Sequence, residues 1–106
     1  MPKVSLADEF VGITEHWSPE VVAELNGQQV KLAKFMGEFE WHTHSNADEL
    51  FLVVRGAIRV ELRDESVELG EGEFFVVPHG AEHRPVAEAE AEVLLFEPST
   101  VIRTGD

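Results

Sequence analysis

Residues 37–56 read GEFEWHTHSNADELFLVVRG and carry the pattern that decides the fold. His42 and His44 are two residues apart, so on a β-strand both imidazoles point to one face, where they can begin a metal chelate. Glu49 follows a short polar loop and opens the next apolar run, so its carboxylate can return to the same face from a neighbouring strand. This stretch therefore predicts two strands joined by a loop, with candidate metal ligands on one side.

A second informative stretch, residues 72–83, reads GEFFVVPHGAEH. Its apolar centre is typical of a strand, and the Pro–Gly turn that follows places His83 where a third imidazole can point inward. The chain contains no cysteine, so disulfides, thiolate zinc sites, iron–sulfur clusters and cysteine nucleophiles are excluded. Histidine and carboxylate side chains are therefore the ligands that a metal site in this chain would use.

The two stretches resemble the paired motifs of the cupin superfamily, in the same order. The residues that match the first motif, glycine, His-x-His, glutamate and glycine, are Gly37, His42, His44, Glu49 and Gly56. The residues that match the second motif, glycine, Pro-x-Gly and histidine, are Gly72, Pro78, Gly80 and His83. The sequence departs from the pattern in two places: one residue fewer than usual separates Gly37 from His42, and Ala87 stands where the second motif usually has asparagine.

This resemblance covers roughly Val30 to Phe96 and implies an all-β fold, the cupin-type jelly-roll β-barrel. The whole chain, residues 1–106, is interpreted as one cupin domain in which residues 1–19 form an N-terminal extension. The resemblance also implies one divalent metal ion, which would be Fe, Mn, Ni, Zn or Cu. Its implied ligands are His42, His44, Glu49 and His83. Imidazole and carboxylate groups suit these metals on chemical grounds as well, and an ion with open positions can bind a substrate.

The rest of the chain is divided into short apolar runs by glycines and turn residues, a pattern typical of a sandwich or barrel. Residues 5–12 predict a short helix, capped by Ser5 and stopped at Gly12. The dipeptide Asn26-Gly27 between two such runs predicts a hairpin. Residues 88–92 fit either a helix or a solvated loop that leads into a strand, and their period-2 alternation favours the loop.

Strand parity assigns roles to the residues near the two stretches. Phe51 and Val53 have the same parity as the candidate glutamate and are predicted to form the walls of a small pocket. Phe39 and Trp41 have the opposite parity to the candidate histidines, so they are expected to pack between sheets or at an interface.

Three further polar residues are interpreted as surface groups. The cupin motif places no ligand at His79, which is expected at the rim, and His16 is expected in a structural or surface position. Arg84 follows the candidate ligand His83 directly and is interpreted as a solvated flank, with contact to a substrate carboxylate as the alternative.

The charge of the chain limits its partners. It has 106 residues, with 8 Lys and Arg against 21 Asp and Glu, a net charge of −13. This excess repels phosphate backbones and anionic lipid, so no nucleic-acid or membrane partner is expected. The longest apolar run, residues 50–54, is far shorter than the ~20 residues of a membrane helix, and no signal peptide is evident. We therefore expect a cytoplasmic protein.

Two functions are compatible with these residues. The first is a metal-dependent enzyme, dioxygenase-like or isomerase-like, that acts on a small organic molecule. The alternative is a non-enzymatic barrel that binds a small ligand through the metal and apolar walls. Neither a Ser-His-Asp arrangement nor a pair of carboxylates outside the candidate ligand set is evident, so any chemistry is expected to depend on the ion.

Phosphosugar isomerisation is disfavoured, although the chain looks most like the small single-domain cupins often labelled mannose-6-phosphate-isomerase-like. Such an enzyme needs cations to hold the phosphate. The chain has only 8 Lys and Arg, of which Arg59 and Arg63 are predicted to point outward. A small neutral or weakly acidic molecule is therefore the favoured substrate or ligand.

We also expect a homodimer, because residues 50–54 are apolar on both strand faces. One face can line the barrel, and the other then needs cover. That cover can come from the N-terminal extension, with Phe10, Val11, Ile13 and Trp17, or from a second subunit.

Overall fold

Seven β-strands and one short helix are present in residues 2–106, the part of the chain that this computed structural model describes. In chain order the elements are α1 (Leu6–Val11), β1 (Glu20–Leu25), β2 (Gln28–Glu38), β3 (Glu49–Arg55), β4 (Ile58–Leu62), β5 (Ser66–Leu69), β6 (Phe74–Val77) and β7 (His83–Pro98). The paired strands are antiparallel. The predicted all-β jelly-roll fold is confirmed.

Strand β7 organises the barrel, because its 16 residues pair with three other strands. β2 pairs along most of its length, while β4 pairs with its first part and β3 with its second part. β1 extends the sheet beyond β2, β6 extends it beyond β3, and β5 pairs with β4. The two ends of β7 therefore belong to different regions of one continuous sheet.

Residues 88–92 lie within β7, so the predicted solvated loop is wrong. Ala91 pairs with Phe35 of β2, and Glu92 pairs with both Lys34 of β2 and Arg55 of β3. These backbone contacts come from residues far away along the chain. They outweigh the weak local preference of an alternating Glu-Ala segment.

Two local signals in the sequence act as predicted. The hydroxyl of Ser5 caps α1 by accepting a hydrogen bond from the Asp8 N–H at 3.4 Å, and Gly12 follows the last helical residue. Asn26 and Gly27 have φ angles of 52° and 79°, as the two-residue turn of a tight hairpin requires. The predicted helix and hairpin are therefore confirmed.

The apolar core has an inner part and an outer part. Inside the barrel, Phe35, Phe51 and Val93 belong to a cluster contributed by most of the strands. Outside the barrel, α1 and the turn after it pack Phe10 and Ile13 against the sheet. The N-terminal extension therefore covers part of the outer face.

The remaining outer face is apolar and only partly covered. Strand pairing aligns two rows of apolar residues across four strands, Val76–Leu50–Phe96–Val30 and Phe74–Leu52–Leu94–Leu32. The α1 region packs against Leu32 and Leu94, at one end of the second row. At the other end of the rows Phe74 is 60% exposed and Val76 is 42% exposed.

The helix content gives no candidate membrane span. Within residues 2–106, no helix is both long and apolar enough to cross a bilayer.

Candidate metal centre

Four buried side chains meet inside the barrel: His42, His44, Glu49 and His83. Each offers one ligand atom, and these atoms lie within 4.8 Å of one another. Glu49 is the first residue of β3 and His83 is the first residue of β7, whereas the other two histidines lie in the segment between β2 and β3. The structure thus brings together the four ligands that the sequence motifs imply.

A short backbone bridge sets the spacing of two of the imidazoles. His42 and His83 form an isolated antiparallel pair in which each N–H donates to the carbonyl of the other residue at 3.0 Å. The ring centroids of these residues are 4.3 Å apart. Most of the segment from 39 to 48 is irregular rather than the predicted strand, so this bridge takes the place of a strand in fixing the first histidine.

Backbone carbonyls select the tautomers of these two histidines. Nδ1 of His42 lies 2.9 Å from the carbonyl oxygen of Glu40, and Nδ1 of His83 lies 2.9 Å from that of Ala81. Because a carbonyl oxygen only accepts, each Nδ1 carries the proton and each Nε2 keeps a free lone pair. Metal-binding histidines usually donate their other ring N–H to a carbonyl or carboxylate in this way.

The unsatisfied atoms of the cluster fit a cation. Neither ring nitrogen of the buried His44 has a hydrogen-bond partner among residues 2–106, although its Nε2 lies 3.4 Å from Oε1 of Glu49. The Nε2 of His83 is 3.2 Å from the same oxygen. Buried polar atoms without partners are costly, and lone pairs directed at a carboxylate repel it unless a proton or cation intervenes. The donor set therefore fits a divalent metal that accepts mixed nitrogen and oxygen ligands.

The ionisation of the cluster also favours metal binding. Burial lowers the pKa of His42, and the nearby His83 lowers it further, against the opposing effect of the Glu40 carbonyl. Burial would raise the pKa of Glu49, but its contacts with His44 and His83 outweigh burial and hold this pKa below its ordinary value. The centre therefore combines a neutral imidazole with an ionised carboxylate, the forms that bind metals.

A second carboxyl, that of Glu97 in β7, lies beside Glu49 and was missed by the sequence interpretation. Glu97 is 3% exposed, and its Oε1 accepts a hydrogen bond from Lys31 Nζ at 2.8 Å. Burial and the adjacent Glu49 raise the pKa of Glu97, while Lys31 opposes the increase. Because its partner Glu49 belongs to the candidate ligand set, this pair does not contradict the expectation that no carboxylate pair lies outside that set. The sequence feature that could have revealed Glu97 is its strand parity, because it alternates in step with the buried Val93 and Leu95.

The centre adjoins a small apolar pocket, whose cavity open to water-sized solvent is about 30 Å³. Its lining residues are Trp17, Pro19, Phe35, Phe39, His42, Glu49, Phe51, Pro85, Leu95, Glu97 and Arg103. Phe51, one of the two residues predicted as walls, lines this pocket. Val53 does not line it; this residue is two positions further along β3 and is fully buried in the core cluster.

Two of the pocket aromatics lie where the sequence did not place them. Phe39 meets the His42 ring edge-on at 5.4 Å between centroids, because the chain is irregular at this point and strand parity does not apply. Trp17, from the N-terminal extension, stacks on Phe35 at 4.4 Å and on Phe39 at 4.9 Å. Its main-chain N–H donates to the carbonyl of Lys34 at 2.9 Å, so the extension supplies one pocket wall.

The other polar residues considered lie outside the centre. His79 is exposed and pairs with Asp48, with 3.0 Å between Nδ1 and Oδ1, and His16 is exposed and pairs with Glu90. Both surface assignments are confirmed. Arg84 donates to Glu61 at 2.7 Å and does not line the pocket. Its side chain is only 23% exposed, so it is a partly buried ion-pair residue rather than the predicted solvated flank.

Trp41 also lies outside the pocket. The guanidinium of Arg63 is 3.9 Å from its ring centroid, and that of Arg84 is 5.2 Å away. These contacts are typical of cation–π pairs. Trp41 therefore packs against two arginines rather than between sheets, and its alternative place at an interface stays a prediction.

Most of the sequence matches a known family. Residues 29–97 match the family described as "Cupin domain". The chain belongs to the cupin family. The resemblance seen in the two motifs is therefore confirmed, and the matched range contains all four residues of the cupin's candidate metal centre.

Two solved structures resemble this cupin closely. A cupin-2 domain containing protein from Shewanella frigidimarina NCIMB 400 is 42% identical with a TM-score of 0.88, over 90% of this chain and 93% of that one. A protein from Neisseria meningitidis is 34% identical with a TM-score of 0.84, over 92% of this chain and 100% of that one. Among curated proteins, YdbB of Bacillus subtilis (strain 168) is 38% identical over 64 residues, 59% of this chain. The matched stretch spans 57% of the length of YdbB.

Proposed function

We propose that this cupin binds one divalent metal ion through His42, His44, Glu49 and His83 and uses it to act on a small organic molecule. The observation that carries the proposal is the buried donor cluster, whose ligand atoms lie within 4.8 Å of one another beside an apolar pocket. A structural metal site is closed on all sides by protein ligands, whereas a catalytic one keeps a position open. Contact with a pocket supports the second kind.

The residues around the centre have different roles at such a site. A divalent ion held there supplies Lewis-acid polarisation of a substrate oxygen or, if it is redox-active, chemistry with dioxygen. The carbonyls of Glu40 and Ala81 keep the Nε2 atoms of two histidines free of protons. Glu97 places a second buried carboxyl beside the ligand Glu49, where a proton can be held. The aromatic walls exclude water, which strengthens every electrostatic contact inside the pocket.

Ligand capture without turnover is the second candidate. It is favoured by the composition of the pocket wall, because no serine, threonine, lysine or cysteine lines the pocket. Within the described residues, chemistry at this wall therefore depends on the candidate metal and the two carboxyls. A barrel of this kind can serve either purpose, since the fold does not determine the function.

One experiment tests the proposal and separates the two candidates. The protein is purified without added metal, its metal content is measured by elemental analysis, and small organic molecules are screened for conversion under air and under nitrogen. About one ion per chain with oxygen-dependent turnover supports a dioxygenase-like enzyme, and oxygen-independent turnover supports an isomerase-like one. Ligand-induced thermal shifts without turnover support the binding barrel. Absence of bound metal, also after incubation with Fe²⁺, Mn²⁺, Ni²⁺, Zn²⁺ and Cu²⁺ in turn, contradicts the proposal.

We also propose that the cupin forms a homodimer through its outer apolar face. Support comes from the two rows of apolar side chains that cross β6, β3, β7 and β2, of which α1 covers only one end. Phe74 and Val76 lie at the uncovered end and are largely exposed. A second copy that meets this face would bury both rows, and this burial favours association. The opposing charge repulsion is screened by salt within ~10 Å.

A further inference from the structure

We propose that Arg103 binds the carboxylate of the substrate or ligand, so that the pocket selects small carboxylic acids with an apolar body. The inference rests on the proposed function, because it assigns the ligand class of the same pocket. It concerns a residue that lies outside the metal-ligand set, far from both sequence motifs.

Arg103 is the cation that lines the pocket. Its Nη1 donates to the main-chain carbonyl of Trp17 at 2.8 Å, and this is its one hydrogen bond within residues 2–106. A guanidinium has five N–H donors arranged as a planar fork. Most of the guanidinium N–H groups of Arg103 are therefore free to donate to a ligand at the mouth of the pocket.

Arg103 combines a place at the pocket with the absence of a carboxylate partner among the described residues. Acidic residues outnumber basic ones by 21 to 8. Three of the five arginines, Arg59, Arg63 and Arg84, each form an ion pair with a glutamate, whereas the exposed Arg55 and Arg103 form none among the described residues. Arg103 forms no ion pair with any carboxylate in the part of the chain that is described. A guanidinium left unpaired beside an apolar pocket is suited to bidentate recognition of a carboxylate from outside.

The segment that carries Arg103 is anchored to the metal-ligand loop. The N–H of Asp106 donates to the Thr43 carbonyl at 3.1 Å, and the Ser45 N–H donates to Oδ1 of Asp106 at 2.7 Å. Gly105 has φ 122°, and a Cβ on it would lie 3.0 Å from the Thr43 carbonyl oxygen. Only glycine allows this close approach without a shift of the backbone. The position of Arg103 is thus fixed by its own hydrogen bond to Trp17 and by the contacts of Asp106 with the metal-ligand loop.

The other walls define the rest of the ligand. Trp17, Phe35, Phe39 and Phe51 present apolar ring surfaces, which suit a flat or unsaturated carbon skeleton. Glu49 also lines the pocket, and its carboxylate repels an anionic group. A carboxylate is therefore expected at Arg103, and a hydroxyl or carbonyl group at the metal centre.

The test compares acids with their matched neutral amides. The protein is loaded with Zn²⁺, and dissociation constants are measured by calorimetry for benzoate and benzamide, crotonate and crotonamide, and lactate and lactamide. The variants are Arg103→Gln, Arg103→Lys and the control Arg55→Gln. Arg55 is an exposed arginine that does not line the pocket. Its replacement by glutamine changes the net charge by the same amount and leaves the pocket wall unaltered. Circular dichroism checks that each variant is folded.

We expect at least one acid to bind about tenfold or more tightly than its amide, the size of effect that charge-assisted hydrogen bonds give. Arg103→Gln should reduce this ratio to near one, Arg103→Lys should keep part of it, and Arg55→Gln should leave it unchanged. No preference for any of the three acids, or a preference that survives in Arg103→Gln, overturns the inference.

The same measurements on metal-free protein separate this inference from the proposed function. Failure to bind Zn²⁺ contradicts the metal centre, yet the acid-to-amide ratio still reports on Arg103. One Zn²⁺ per chain without any acid preference contradicts the role of Arg103 and leaves the metal centre standing.

Discussion

Replacing Glu97 with glutamine should stabilise the metal-free protein relative to the unmodified one, and this difference in the free energy of unfolding should grow as the pH rises. The Glu97 carboxyl is 3% exposed and contacts Lys31 on one side and Glu49 on the other. A glutamine can keep both contacts, because its carbonyl oxygen accepts from Lys31 while its amide N–H donates to Glu49. It cannot ionise, so the change removes the proton linkage of this buried carboxyl with little change of shape.

The magnitude of this difference follows from the pKa of Glu97, which burial raises to about 8 in the folded protein. Between the unfolded pKa of a glutamate, about 4.3, and the higher folded pKa, the folded state binds more protons than the unfolded state. The free energy of unfolding therefore falls as the pH rises, by up to about 1.4 kcal/mol per pH unit for this group. Between pH 5 and 7 the unmodified protein should lose about 2–3 kcal/mol relative to Glu97→Gln.

Urea unfolding at pH 5, 6 and 7 in the presence of a chelator measures this difference. The matched control is Glu68→Gln, which removes the charge of an exposed glutamate on β5. Its stability relative to the unmodified protein should change little with pH. If the difference between Glu97→Gln and the unmodified protein is the same at all three pH values, burial does not raise the Glu97 pKa as argued.

Four further predictions concern metal, pH, packing and assembly. His42→Ala should reduce the metal content to well below one ion per chain, whereas His79→Ala should leave it unchanged; equal contents would contradict the ligand set. Metal affinity should hold near pH 7 and fall below about pH 6, because protons compete for the imidazoles, and titration of the metal at pH 5 to 8 checks this. Phe51→Ala should lower the free energy of unfolding by about 3–5 kcal/mol and retain the metal; loss of the metal would mean that the ring supports the centre itself. Light scattering at physiological salt should give about twice the chain mass of 11.8 kDa, and Phe74→Glu should give the monomer; a monomeric unmodified protein would refute the dimer.

Spacing and local chemistry made the centre and two elements of the fold predictable. The four candidate ligands stand at motif positions whose separations are visible in the sequence, and the fold brings them together. The cap at Ser5 and the turn at Asn26-Gly27 depend on neighbouring residues alone. Such signals can be read without knowledge of tertiary contacts.

The pocket was less predictable, because its walls come from distant and irregular parts of the chain. Strand parity applies only to regular strands, so it failed at Phe39 and gave no position for Trp17 or Arg103. Those two residues reach the pocket through hydrogen bonds of the chain ends, which no local pattern encodes. Glu97 could have been recognised from its inward parity on β7. The strand at residues 88–92 is fixed by partners far along the sequence, so its local composition was misleading.

The long β7 strand constrains how this chain can change in length. Its first residue, His83, and its penultimate residue, Glu97, both contact Glu49, so the strand must bend around the lumen between them. At the bend, residues 88–90 of β7 stand opposite the single residue Met36 of β2. The excess is two residues, an even number, so side chains on both halves of β7 keep the same inward alternation. Insertion or deletion of one residue here would turn either His83 or Glu97 to the outside, whereas a change of two would preserve both. Relatives of this cupin should therefore vary at this bend in steps of two.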